Sequence, residues 1–192
     1  MNAQFLVLLA ISGVLALPKL PVERVTLGGI ELSLGETTFK EIAEHLGPAS
    51  VAHMGDAGES RYQACYRSPA SPRVAYYLES DEMGAGERIT QFEAIAAGSA
   101  TAAEDSVFAG HCGTLTASMP VRTDRGIELG LSRPEVERHL GGRGRDSSGV
   151  VIYSASETRR AKDFRATAWS VLRLRYHAGR VVAFAAAAGI TD

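Results

Sequence analysis

Two Glu–His pairs stand at a spacing that acid–base or metal chemistry can use. Glu41 precedes His45 by four residues, and Glu135 precedes His139 by four. On a helix each carboxylate would then lie one turn from its imidazole. A zinc centre needs further ligands, and the HExxH pattern with its second histidine is absent. Each histidine falls at the end of its segment, where a cationic imidazole also complements the negative end of a helix. Both pairs therefore read as parts of a scaffold.

The remaining candidates weigh the same way. Asp81, Glu82 and Glu87 are acidic enough for calcium but lack the alternating ligand order of a calcium loop. The run Gly141-Gly142-Arg143-Gly144-Arg145 has the composition of an anion cradle. It follows a predicted helix, so no helix N-terminus points at the ligand. No Gly-x-Ser-x-Gly elbow is present. His111 adjoins Cys112, whereas catalytic Cys–His partners usually converge from distant positions. The tyrosines Tyr62, Tyr66, Tyr76 and Tyr77 are a candidate interface, since tyrosine is favoured at binding hot spots, with core packing as the competing reading. The expectation is no catalytic residue, no metal and no cofactor.

The elements that must position these residues are announced by a repeated stretch. Thr38-Phe39-Lys40-Glu41-Ile42-Ala43-Glu44-His45-Leu46-Gly47 returns 94 residues later as Ser132-Arg133-Pro134-Glu135-Val136-Glu137-Arg138-His139-Leu140-Gly141. Thr38 with Glu41, and Ser132 with Glu135, are spaced as capping boxes. Phe39, Ile42, Ala43 and Leu46 form one apolar stripe, and Val136 with Leu140 a thinner one. Pro134 is tolerated because first-turn amides have no partner to lose. Gly47 and Gly141 are placed for left-handed C-caps. Helices of two to three turns are marginal alone and must dock on something.

Strands are predicted over Arg61–Arg67, Arg73–Glu79 and Arg88–Ala96 after the first helix, and over Val150–Ala155, Ser170–His177 and Arg180–Ala187 after the second. Ala178-Gly179 joins the last two as a tight hairpin, with Leu172, Leu174 and Tyr176 on one face and Val171, Arg173, Arg175 and His177 on the other. Pro48–Ser60, Ser80–Glu87 and Gly141–Gly149 read as loops, and Ser156–Phe164 as a charged excursion with a turn of helix. The expected class is α+β: two tandem units, each a short helix or helix pair on a three- to four-stranded antiparallel sheet. The units span 17–97 and 121–192, joined by a linker over 98–120 rich in Ala, Ser, Thr and Gly.

Leu129-Gly130-Leu131-Ser132, then Glu135-Val136 and Leu140-Gly141, resemble the helix-opening signature of the SmpA/OmlA and β-lactamase-inhibitor-like (BLIP-like) superfamily. The resemblance implies short helices on a small antiparallel sheet. In the inhibitor branch it implies a tandem duplication, export and no enzymatic activity. No inhibitory or assembly residues carry over.

Phe5 to Leu17 is an apolar run, and Val14-Leu15-Ala16 offers small residues for signal cleavage after Ala16, although Met1 to Gln4 holds no Lys or Arg. The run is too short to span a bilayer. No cysteine stands at the cleavage site for lipid attachment. Two cysteines in an exported chain suggest one disulfide, Cys65 to Cys112. Residues 1–112 carry 7 Lys/Arg against 14 Asp/Glu and residues 113–192 carry 13 against 8, a polarity hidden in the net charge of −2. Neither half has a nucleic-acid patch. The composition, 45% hydrophobic and 22% charged, is that of an ordinary globular protein. The expectation is a periplasmic or secreted, non-enzymatic protein-binding or inhibitor-like module with a protein partner, no nucleic acid, and no membrane span after cleavage. An envelope assembly factor and a small hydrolase are the alternatives.

Overall fold

The computed structural model describes residues 20–56, 59–68, 73–96, 112–117, 119–160 and 165–191. The predicted leader, His111 and most of the predicted linker lie outside them. Helix α1 (Phe39–Leu46) starts where the box placed it. Thr38 Oγ1 accepts from the Glu41 N–H at 3.2 Å, and the Glu41 carboxylate accepts from the Thr38 N–H at 2.7 Å. Helix α2 (Arg133–Leu140) opens with the Glu135 carboxylate accepting from Ser132 N and Oγ at 2.8 and 2.6 Å. These bonds to Thr38 and Ser132 hold both glutamates below the ordinary carboxylate range. Gly141 ends α2 in the left-handed region, whereas Gly47 ends α1 at φ 88° and ψ 171°, outside that region. Thr38→Ala should lower stability by about 1 kcal/mol, read from the urea midpoint; an unchanged midpoint would show that the cap bonds carry nothing.

Strands dominate the chain. They are β1 (Arg24–Leu27), β2 (Ile30–Ser33), β3 (Ala52–Met54), β4 (Arg61–Arg67), β5 (Val74–Ser80), β6 (Gln91–Ala96) and β7 (Gly113–Thr114), then β8 (Val121–Thr123), β9 (Arg145–Ser147), β10 (Val150–Arg160), β11 (Arg165–His177) and β12 (Arg180–Thr191). β2, β1 and β8 form a three-stranded sheet. The other nine form a single sheet in the order β3-β4-β5-β6-β12-β11-β10-β9, with β7 beside β4.

The expected class is corrected on this point. The strands after the two helices do not make two helix-on-sheet units. β6 pairs antiparallel with β12 through five residue pairs, from Ala183 opposite Ile95 to Ala187 opposite Gln91. The physical reason is that a three- or four-stranded sheet leaves a hydrogen-bonding edge at β6 and another at β12, and joining them removes both. The mostly β architecture also absorbs segments read as loops. Pro48–Ser60 contains β3 and Gly141–Gly149 contains β9, while the charged excursion continues β10 as far as Arg160, its remainder at 161–164 lying outside the described residues. The Ala178-Gly179 turn is seen as expected, both residues having positive φ (48° and 76°), the geometry that matches strand twist.

Two transverse rows of side chains fill one face of the nine-stranded sheet. Ala64, Leu78, Phe92, Ala186, Leu172 and Tyr153 lie opposite one another across six strands, and Tyr66, Tyr76, Ala94, Phe184, Leu174 and Val151 form the next row. All are buried. Val25, Leu27 and Leu32 of the small sheet, Ile42 of α1 and Val136 of α2 close over them in one core.

Candidate functional site

Strand side chains alternate between faces, so the face turned away from the helices and the small sheet carries a second set of side chains. That face is buried at its Cys65 end, where Cys65, Tyr77, Ile95 and Ala183 pack together, and more open beyond. Its rows run Gln63, Glu79, Gln91, Ala187, Val171, Ser154 and then Cys65, Tyr77, Glu93, Ala185, Arg173, Ile152, Arg145. Where the two halves meet, β12 contributes only Ala183, Ala185 and Ala187, so the taller side chains of β5, β6 and β11 rise on either side. The result is a shallow groove of about 190 Å³ lined by Gln63, Tyr77, Glu79, Glu93, Arg173 and Arg175 among others.

The groove is electrically two-sided. Glu79 and Glu93 come from the acidic half of the chain, Arg173 and Arg175 from the basic half. Arg175 reaches Glu93 at 3.8 Å, and Gln91 Nε2 donates to Glu79 Oε1 at 3.1 Å. Partial burial raises the Glu79 carboxyl above its ordinary value of 4.5, against the pull of Arg61 and with a push from Asp81. A carboxyl raised in the folded state contributes stability that is complete below 4.5 and lost as pH rises through the raised value. Glu79→Gln should therefore melt higher than the wild type at neutral pH, and the gap should close as pH falls below about 4.5. A constant gap across that window would contradict the assignment. The lining groups are carboxylates, guanidiniums and amides around an apolar floor, equipment for holding a polar partner.

The sequence candidates fall as follows. Cys65 and Cys112 are joined in a disulfide. Cys112 packs with Cys65, Tyr77, Ile95 and Ala183 at one end of the groove face. The four tyrosines do not share a surface. Tyr66 and Tyr76 are buried in the core, their hydroxyls donating to the carbonyls of Gly47 at 3.0 Å and Met119 at 2.8 Å. Tyr77 is buried on the groove face, and Tyr62 stacks on His53 with ring centroids 4.7 Å apart. His45 and His139 are exposed, and His45 Nδ1 lies 2.8 Å from the Glu41 carbonyl oxygen. Asp81 caps a short 3-10 turn, accepting from Met83 N and Gly84 N. Arg143 of the glycine-rich run pairs with Glu137 at 3.6 Å. Among the described residues no cluster of three His, Cys, Asp or Glu side chains is placed to hold a metal.

Sequence reasoning did place Arg173 and Arg175 on the polar side of the last hairpin, but it did not find Glu79 and Glu93 as their neighbours. Those four line one groove only because β6 joins β12, for which no local signal exists. Among the described residues no helix is long and apolar enough to cross a membrane. No family model, curated protein or solved structure matches the chain.

Proposed function

We propose that the protein is an exported, non-enzymatic module that binds a protein partner on the groove face of its nine-stranded sheet. The observation that carries this reading is the face itself: it is built from both halves, it is floored by alanines, and it lines one groove with two carboxylates and two guanidiniums. The disulfide supports an oxidising compartment, periplasmic or extracellular, since such bridges are rare where thiols are kept reduced. The non-enzymatic part of the reading rests on the sequence resemblance of Leu129-Gly130-Leu131-Ser132, Glu135-Val136 and Leu140-Gly141 to the BLIP-like superfamily. In the organism's own envelope or culture medium, a photo-crosslinking residue at Arg173 should yield one discrete adduct, because Arg173 is exposed on the groove face. The same residue at Lys40, exposed on α1, should yield none. Equal labelling from both positions, or none from Arg173, would overturn the proposal.

A further inference from the structure

β10 is eleven residues long, yet β9 pairs with only its first three, Val150, Val151 and Ile152. β11 holds the inner edge of β10 along its whole length. Among the described residues no strand pairs with the outer edge from Tyr153 to Arg160. Ser154, Ser156, Thr158, Arg159 and Arg160 are exposed. Such an edge presents a row of backbone donors and acceptors for another strand.

The side chains on this edge specify which strand. Glu157 and Arg159 stand two residues apart on one face and are bonded to each other at 2.7 Å, and Arg159 also holds Glu23. When two copies of one strand pair antiparallel about a twofold axis, each residue meets its reflection through the central position. Centred on Thr158, Glu157 lies opposite Arg159 of the second copy, and Arg159 lies opposite Glu157 of the second copy. The four charges then alternate around a square. Shifting the centre by one residue sets Glu157 against Glu157 or Arg159 against Arg159, which repels.

We propose that this free edge of β10 is a self-association site, and that two copies pair antiparallel through Ser156–Arg160 with Thr158 at the twofold axis. The sheets of the two copies then become one continuous sheet. So short a seam is smaller than a standard interface, so the dimer forms at concentrations on the order of 100 μM and weakens with salt.

The charge pattern supplies the test. Glu157→Arg makes both residues of the facing pair basic and Arg159→Glu makes both acidic, so each variant sets like charges against their own kind. Sedimentation velocity should show the wild type as a concentration-dependent dimer and each variant as a monomer with an unchanged circular dichroism spectrum. An equimolar mixture of the two variants should recover the dimer, because each basic pair then faces an acidic one. A wild type that stays monomeric at that concentration overturns the proposal. So does a dimer that both variants retain, or a mixture that fails to reassociate.

Discussion

Phe184→Ala is expected to lower the unfolding free energy by about 3–5 kcal/mol, the cost of emptying a fully buried aromatic site. Phe184 is 1% exposed. Its ring lies 6.0 Å, centroid to centroid, from that of Phe92, which is also 1% exposed. The two rings belong to different halves of the chain, β6 and β12, and they touch across the seam that joins the halves. A loss of that size is a large part of the roughly 5–15 kcal/mol that holds a domain together. The variant should show it as a lower urea midpoint. Phe184→Leu keeps most of the volume and should cost under about 1.5 kcal/mol. If Phe184→Ala costs no more than a surface change, about 0.5 kcal/mol, the ring is not at the centre of the core.

Removing the disulfide should have an effect of similar size by a different route. Cys65 and Cys112 close a loop of 47 residues. On the chain-entropy account, opening such a loop gives the unfolded chain about 4 kcal/mol of conformational freedom. The bridge also ties the segment carrying β7 against β4, where Gly113 lies opposite Tyr66 and Thr114 opposite Arg67. The paired Cys65→Ala and Cys112→Ala variant, compared with the wild type in urea without reductant, should lose about 4 kcal/mol. A loss below about 1 kcal/mol would mean that the reduced unfolded chain is already constrained.

These two predictions rest on features of unequal legibility. The disulfide follows from two cysteines and an export-like leader, and the helix starts follow from hydrogen-bonding side chains three residues apart. The last hairpin follows from alternation around Ala178-Gly179. In each case the information is local. The seam is not local. β12 reads Val181-Val182-Ala183-Phe184-Ala185-Ala186-Ala187-Ala188, and alanine suits either face, so its pattern names no neighbour. Which free edge it takes depends on strands nearly a hundred residues away. Polarity misled in the opposite direction along β10. Glu157, Arg159 and Arg160 look like a loop because they are charged, but they lie on a strand whose outer edge meets solvent. Charge reports exposure there and says little about backbone conformation. The tyrosines show the same limit. Tyr66 and Tyr76 can be buried because backbone carbonyls receive their hydroxyls, and no composition rule anticipates those carbonyls.

The groove inherits this limit. Arg173 and Arg175 could be assigned a face from β11 alone. Their relation to Glu79 and Glu93, and the alanine floor between them, exists only if β6 and β12 are neighbours. Everything proposed for that face therefore depends on one strand pairing. Native-state amide hydrogen exchange tests it most directly. In a continuous sheet β6 and β12 are interior strands, so all amides from Gln91 to Ala96 and from Ala183 to Ala187 should exchange among the slowest in the protein, near the global unfolding limit. If the halves were separate sheets, β6 and β12 would each be an edge. Every second amide along them would then exchange fast, and that alternating pattern would contradict the account.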